Sequence, residues 1–153
     1  MTGARVKRIE RYVTEDHFMM TYGDGVTNLD ICKLWEFHLG HGKVGTVTGV
    51  HPLSRYGELS LQGSLVNEFN EKPLDQSGFI SGGFFVFQRK FFDYLTDDDS
   101  CVLEGEPLER LTREGQFVGY LHHGFWHCMD TYRDFVALNE MWKQNPPWRM
   151  WDK

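Results

Sequence analysis

Residues 18–25 read FMMTYGDG, a run of apolar and β-favouring residues that ends in a carboxylate flanked by glycines. This pattern predicts a buried strand that delivers Asp24 to a turn at its carboxyl end. Ligands bind along that edge of the sheet in open α/β folds. Aspartate beside glycine is also common wherever a chain bends, so the local pattern leaves Asp24 either as a ligand or as a turn former.

A second acidic turn, GFWHCMD at residues 124–130, ends in Asp130. If the fold brings Asp130 beside Asp24, the two carboxylates could together hold one divalent cation that prefers oxygen ligands. Asp130 could equally be the N-cap of the next helix, because an aspartate and a threonine precede a stretch with helical apolar spacing. Both roles stay open on local sequence.

The composition indicates one soluble globular domain over residues 1–153, with 41% hydrophobic and 25% charged residues. The formal net charge of -6 argues against a nucleic-acid surface, and there is no apolar run long enough to span a membrane. The three cysteines are widely spaced and form no Cys-x-x-Cys pair, which favours a reducing cytoplasm over a disulfide framework. No apolar segment follows the basic N-terminus, so we predict no signal peptide.

The first part of the chain predicts a strand–helix–strand unit. Residues 6–13 have the spacing of a short amphipathic surface helix. After the Asp24 turn, Thr27 with Asp30 three residues later resembles a capping box, and the helix that follows should stop at Gly40 or Gly42. The next strand, over residues 43–50, completes a βαβ pattern and predicts a mixed sheet with a parallel centre.

The second part predicts a hairpin, then a buried strand, then alternating helices and strands. The strand is notable for Ser81, Gly82 and Gly83, because paired glycines let another group approach the backbone closely. The predicted elements are a hairpin at 58–69, the buried strand at 79–87, a short helix at 91–95, a helix from Glu106 to Gly115, a strand at 117–121 and a helix at 131–142 that ends before Pro146 and Pro147.

Three further features have both a functional and a structural interpretation. Lys72 is held beside a proline and could bind a phosphate, or it could form a surface pair with Glu71. The cluster at His122, His123, His127 and Cys128 could bind zinc, but its spacing matches no zinc-finger pattern and the aromatic residues inside it favour packing. Residues 97–99, DDD, are interpreted as a solvated loop rather than a cation site.

Nine short segments, in this order, resemble the glucose-1-phosphate cytidylyltransferases, a family of sugar nucleotidyltransferases. The segments are TGARVKR (2–8), YGDGV (22–26), RYG (55–57), EKP (71–73), GGFFV (82–86), EPL (106–108), GFW (124–126), MDT (129–131) and PW (147–148). The resemblance implies a Rossmann-like, GT-A-like α/β fold in which a mixed sheet has flanking helices and a β-hairpin. It also implies transfer of a cytidylyl group from CTP to glucose-1-phosphate, giving CDP-glucose and pyrophosphate.

The resemblance also assigns roles to individual residues. Lys72 and Asp24 would be catalytic, and Mg²⁺ would be the cofactor. The full set is Thr2, Gly3, Tyr22 and Gly23 near the nucleotide, Asp24 and Asp130 on Mg²⁺, and Glu71, Lys72, Gly82 and Gly83 around the sugar phosphate. Transfer of this kind depends on alignment and charge neutralisation, which two carboxylates on a metal and a lysine supply.

The departures from the family are as informative as the matches. Nothing in this sequence corresponds to the family's glycine-rich triphosphate loop or its first strands, so the resemblance implies a C-terminal portion, truncated at the N-terminus, with little turnover by itself. A sheet without its first strand would expose an edge, which favours a homo-oligomer or a complementary N-terminal chain as partner. Ser81 replaces an asparagine of the family, and His127-Cys128 replaces Gln-Pro.

Two other classes of function remain as alternatives. One is a non-catalytic sugar-phosphate-binding or oligomerisation module that pairs with another chain. The other is a metal-dependent glycosyltransferase, whose folds also place an acidic metal site after a strand; the ordered set of segments disfavours it.

Overall fold

The structure, a computed structural model, describes residues 1–52, 58–70 and 78–151, and it omits the side chains of Glu58, Leu61 and Asn70. These ranges hold eight strands, four α-helices and two 3-10 helices. The strands are β1 (His17–Thr21), β2 (Gly25–Thr27), β3 (Gly45–Val50), β4 (Glu58–Gln62), β5 (Leu65–Asn70), β6 (Ile80–Gln88), β7 (Phe117–His122) and β8 (Trp126–Cys128). The helices are α1 (Thr2–Arg8), α2 (Ile31–His41), α3 (Glu106–Arg113) and α4 (Tyr132–Gln144), with 3-10 helices at Glu10–Tyr12 and Arg89–Tyr94.

The main sheet has the strand order β1-β6-β3-β7. β6 is antiparallel to both of its neighbours, and β3 and β7 are parallel. The predicted mixed sheet is therefore confirmed, but the predicted parallel centre is wrong. The run Phe84-Phe-Val-Phe87 is apolar on both faces, which favours a central position. β6 accordingly lies between β1 and β3, and the parallel pair lies at one side.

β1 is less buried than its sequence predicts. It is the end strand in the described order of the main sheet, and its residues are half-buried or exposed. Met19 is 40% exposed. The strand still delivers residues 22–24 to a turn, as predicted, and β2 begins at Gly25.

The core lies under β6 and is built from stacked aromatic rings. Phe87 stacks on Phe91 with 3.8 Å between ring centroids, and Phe85 stacks on Phe87. Both Phe87 and Phe91 have no exposed surface. The 3-10 helix at Arg89–Tyr94 forms where a short helix was predicted, and it carries Phe91 and Phe92 into this cluster. On the other face, α2 packs Leu34 against Val86.

The boundaries of the first two helices correct two predictions and agree with a third. Asp30, not Thr27, is the N-cap of α2, because its side chain accepts from the Lys33 amide at 3.1 Å. α2 ends at Gly42, a left-handed residue (φ 66°), as predicted. The predicted helix at 6–13 instead begins at Thr2 and changes to a 3-10 helix after Arg8.

The N-cap of α4 is Thr131, so the interpretation of Asp130 as a cap is wrong. The Thr131 hydroxyl accepts from the Asp134 amide, and the Asp134 carboxylate accepts from the Thr131 amide. This reciprocal capping box satisfies the first turn of the helix without Asp130.

The predicted hairpin at 58–69 is confirmed as β4 and β5, which pair antiparallel around Gly63 (φ 63°).

Candidate functional site

β2 and β8 form a two-stranded ribbon that brings the two predicted metal ligands to the same end. The strands are antiparallel, with Gly25 opposite Cys128. Immediately beyond this pair, the Met129 amide donates to the Asp24 carbonyl at 2.9 Å. Asp24 and Asp130 are both exposed at this end. We call this element, with the two aspartates at its end, the acidic ribbon.

The acidic ribbon is attached to β6 at the paired glycines. The indole nitrogen of Trp126 donates to the Gly82 carbonyl at 2.8 Å. Gly25 also faces this contact, since a Cβ added to it would lie 3.8 Å from the Gly82 oxygen. The two carboxylates are therefore anchored to the strand that carries Gly82 and Gly83.

The structure gives Gly82 and Gly83 a packing reason for having no side chain. A Cβ on Gly82 would lie 2.9 Å from Val50 Cγ1, and one on Gly83 would lie 2.6 Å from the Tyr22 ring. Gly83 also has φ 76°, a left-handed conformation that glycine adopts without strain. The groups that closely approach this backbone in the structure are thus Val50 and Tyr22.

Thr2 and Tyr22 are connected through Glu104. The Tyr22 hydroxyl donates to one carboxylate oxygen of Glu104, and the Thr2 hydroxyl donates to the other at 3.0 Å. The Leu103 amide donates to the Thr2 hydroxyl, also at 3.0 Å. Gly3 is buried against Cys101, whose sulfur lies 2.6 Å from the position of an added Cβ. The start of α1 is thus joined to Tyr22, which is two residues from Asp24.

Negative charge accumulates around this network. Burial raises the pKa of Tyr22, and the Glu104 hydrogen bond and the charges of Glu104 and Asp24 raise it further. Burial likewise raises the pKa of the Cys128 thiol to about 11, with additional contributions from Asp130, Asp134 and Asp24. The Tyr22 hydroxyl and the Cys128 thiol therefore keep their protons to a higher pH than an ordinary tyrosine or cysteine, because burial and the neighbouring carboxylates both oppose ionisation.

The His and Cys cluster of the sequence is dispersed in the fold. The His122 ring contacts the Thr27 hydroxyl and the Asn28 side chain, whereas His127 Nδ1 contacts the Cys128 carbonyl. The His123 ring lies 5.5 Å from the ring of His51. Within residues 1–52, 58–70 and 78–151, no three His, Cys, Asp or Glu side chains are arranged to hold a metal by themselves. The packing interpretation therefore accounts for these side chains better than zinc.

Two exposed carboxylates at one end of a ribbon nevertheless suit Mg²⁺. This ion commonly takes one or two carboxylates and completes its shell with water and substrate phosphates, so a full protein cage is not required. The same carboxylates would repel a phosphate in the absence of a cation. Asp24 and Asp130 thus fit a divalent cation that is bound together with a phosphate ligand.

Other candidate residues fall outside the site or outside the described ranges. Glu71 and Lys72 lie outside the described residues. In the DDD segment, Asp98 accepts from Ser100, and Asp99 accepts from Arg8 at 2.6 Å. The loop is hydrogen-bonded to α1 through Arg8, which agrees with its interpretation as a surface loop.

Sequence reasoning missed three residues of this region: Glu104, Trp126 and Cys128. Trp126 lies in the GFW segment, and Glu104 lies just before the EPL segment. Their place in or beside segments that resemble the family was the signal that could have identified them. In the sequence, Cys128 stands out as a member of the possible zinc cluster and as a departure from the family pattern, but not as a hydrogen-bond partner of Asp130. Its role depends on the β2–β8 pairing, which local sequence does not show.

With this geometry in view, comparison with known proteins identifies the class. The sequence matches the nucleotidyl transferase family over residues 4–144. The chain belongs to this family.

The relatives narrow the resemblance further. Glucose-1-phosphate cytidylyltransferases from Salmonella typhi and Salmonella typhimurium are each 44% identical over 154 aligned residues, covering 99% of this chain. The alignment covers 60% of each relative, so the chain spans less than two thirds of their length. The crystal structure of HddC from Yersinia pseudotuberculosis is 26% identical, with a TM-score of 0.67 over 92% of this chain and 62% of that one. These comparisons confirm the predicted nucleotidyltransferase family and the fold class, and they show that the chain is similar to glucose-1-phosphate cytidylyltransferases.

None of the helices in residues 1–52, 58–70 and 78–151 has both the length and the hydropathy needed to cross a bilayer.

Proposed function

We propose that the chain functions in nucleotidyl transfer from CTP to glucose-1-phosphate, which gives CDP-glucose and pyrophosphate. The observation that carries this proposal is the acidic ribbon, which places Asp24 and Asp130 at one end and is bonded to β6 through Trp126 and Gly82. The 44% identity to glucose-1-phosphate cytidylyltransferases supports the choice of nucleotide and sugar. We propose that the chain supplies the metal-binding and sugar-phosphate part of the site.

In this proposal, each residue acts by position and charge. Asp24 and Asp130 would hold Mg²⁺, which would neutralise phosphate charge when bound. Lys72 binds the phosphate of glucose-1-phosphate as a point charge, and Glu71 binds its sugar. The sugar-phosphate oxygen then attacks the α-phosphorus of CTP, and pyrophosphate leaves. The enzyme residues need not bond covalently to either substrate, because the reaction requires alignment and charge stabilisation.

The remaining predicted positions form the wall around this centre. Gly82 and Gly83 would line the sugar, with Tyr22 covering Gly83 from one side. Thr2, Gly3, Tyr22 and Gly23 would lie toward the nucleotide. The Tyr22–Glu104–Thr2 connection supports this grouping, because it joins α1 to the turn that carries Asp24.

Binding of glucose-1-phosphate tests the sugar-phosphate part directly. In the presence of Mg²⁺, the 153-residue chain should bind glucose-1-phosphate in a calorimetric titration. Lys72→Ala should weaken this binding about tenfold or more, since hydrogen bonds to charged groups contribute about 1.5–3 kcal/mol. Lys90→Ala, which removes an exposed lysine at the start of the 3-10 helix, is the control. Equal affinity in all three proteins would contradict the assignment of Lys72.

Turnover is tested by pyrophosphate release from CTP, glucose-1-phosphate and Mg²⁺. The 153-residue polypeptide spans 60% of its relatives, so we expect little or no release from it by itself. Release that disappears in Asp24→Asn would show that these residues assemble a complete site. In that case the expected incompleteness would be wrong, while the assigned chemistry would be supported.

The alternative proposal is a non-catalytic sugar-phosphate-binding or oligomerisation module that pairs with another chain. It is favoured by large apolar side chains exposed near the C-terminus, among them Tyr132 (80% exposed), Trp142 (53%) and Trp151 (67%). Co-expression with the remaining part of the Salmonella typhi relative distinguishes the two. A complex that releases pyrophosphate supports the enzymatic proposal, and a stable complex without release supports the module.

A further inference from the structure

The Cys128 thiol is hydrogen-bonded to one of the two proposed metal ligands. Its sulfur donates to Asp130 Oδ2 at a distance of 3.0 Å. The thiol is half-buried, whereas Asp130 is exposed. The hydrogen bond therefore joins a half-buried side chain of β8 to an exposed carboxylate.

The position of Cys128 is fixed by the ribbon itself. Cys128 lies opposite Gly25 in the β2–β8 pair, and the next backbone contact joins Met129 to Asp24. On the other side, Thr131 begins α4. Asp130 thus lies between Met129, whose amide is hydrogen-bonded to Asp24, and Thr131, which caps α4. The backbone is therefore fixed on both sides of Asp130.

A carboxylate that accepts one hydrogen bond can still bind a cation. Its two oxygens offer about four acceptor positions, and the thiol occupies one of them. A hydrogen bond to one oxygen orients the plane of the carboxylate and thereby directs the whole group.

We propose that Cys128 is a positioning residue for the divalent cation site, where its thiol orients the Asp130 carboxylate at the end of the acidic ribbon. This inference rests on the proposed function, because it takes Asp24 and Asp130 to be the cation ligands. The thiol is a departure from the pattern of the resembled family, which has Gln-Pro in place of His127-Cys128. The residue therefore tunes affinity for the cation without being a ligand.

Binding of Mn²⁺, a paramagnetic probe for a carboxylate site, is the first measurement. Electron paramagnetic resonance titration in the presence of glucose-1-phosphate, which supplies the phosphate ligand, should show that Cys128→Ala weakens Mn²⁺ binding about tenfold, the lower end of the effect of removing a group that orients a metal ligand. Cys128→Ser keeps a donor at the same position and should restore most of the affinity. Cys32→Ser, which changes an exposed thiol on α2, should leave the affinity unchanged.

The infrared S–H stretching band is the second measurement, and it does not depend on any metal. The band that disappears in Cys128→Ala should be shifted to the low frequency of a thiol bonded to a carboxylate, and Asp130→Asn should reduce that shift. A band at the position of a free thiol would overturn the proposal.

The combined outcomes separate this inference from the function on which it rests. Mn²⁺ binding that is lost in Asp24→Asn but is equal in wild type and Cys128→Ala would overturn the role of Cys128 and leave the proposed metal site standing. Mn²⁺ binding that is absent, or unaffected by Asp24→Asn, would overturn both. Weaker binding in Cys128→Ala with recovery in Cys128→Ser supports the proposal.

Discussion

The main sheet and the acidic ribbon are held in place by different interactions. In the sheet, Phe85, Val86 and Phe87 of β6 are at most 1% exposed. In the ribbon, each strand has three residues, and all of them are half-buried. The ribbon depends on a few directed contacts, such as the bond from Trp126 to Gly82. Burial thus provides the stability of this fold, and individual hydrogen bonds place the candidate site on it.

The largest effect should come from the sheet. Phe87→Ala removes a fully buried ring that stacks on Phe85 and Phe91, and truncation of a buried phenylalanine costs about 3–5 kcal/mol. Urea denaturation should show this loss in the free energy of unfolding. Phe135→Ala on α4 is the control, because that side chain is 46% exposed and should cost less than about 1 kcal/mol. Comparable losses would mean that the sheet is not the main source of stability.

A pH-dependent effect is expected where α2 meets the sheet. His38 is buried, its Nδ1 contacts the Thr46 hydroxyl at 2.8 Å, and its Nε2 has no hydrogen-bond partner among the described residues. Burial and the nearby rings of His41 and His17 lower the pKa of His38 to about 4. The unfolded chain binds this proton near pH 6.5, so it holds more protons than the folded chain between about pH 4 and 6.5.

Stability should therefore fall as the pH is lowered from about 6.5 to 4, by up to about 3 kcal/mol from this residue. The contribution should be constant above and below that window. His38→Gln should flatten the slope of unfolding free energy against pH, and the exposed His123→Gln should not. If the slope of His38→Gln equals that of wild type, another group is responsible for the acid sensitivity.

An intermediate effect is expected where the sheet meets the site. Gly83→Ala introduces a Cβ at φ 76° and 2.6 Å from the Tyr22 ring, so backbone strain and overpacking together should cost about 2–3 kcal/mol. Gly42→Ala has a similar φ of 66° but no heavy atom within 4 Å, and it should cost only about 1 kcal/mol. Thermal denaturation measures both. The difference between the variants reports the Tyr22 contact, and no difference would show that the ring moves away freely.

The smallest effect should come from the ribbon. Trp126→Phe keeps an aromatic ring but removes the donor to the Gly82 carbonyl, which should cost about 1 kcal/mol of global stability. Hydrogen exchange should detect a larger local change, with faster exchange at the β2–β8 amides than in β6. Trp142→Phe, at a residue that is 53% exposed, should change neither. Faster exchange throughout β6 would indicate that the ribbon and the sheet open together.

Local sequence predicted the elements whose signals lie within a few residues. The apolar run at 79–87 gave β6, the glycine at 63 gave the hairpin turn, and Gly42 gave the end of α2. The prediction of the α2 N-cap failed, because both Thr27 and Asp30 are suitable capping residues. The choice between them depends on which side chain reaches an amide of the first turn. Thr27 instead donates to the Phe125 carbonyl, a contact with residues far along the chain.

The sequence by itself determined the family, the mixed α/β fold and the identity of the two exposed aspartates as candidates. Periodicity, turn residues and ordered motifs carry that information because each is local along the chain. Only the tertiary structure decided that β6 separates β1 from β3, that Asp130 is not a helix cap, and that Trp126, Glu104 and Cys128 border the site. The strand order and the contacts of Trp126 and Glu104 depend on segments far apart along the chain, where the free energy of packing selects one arrangement among many that local propensity allows. The cap of α4 and the Cys128–Asp130 bond are local, but several side chains compete for the same groups there, and the folded geometry decides which one reaches them.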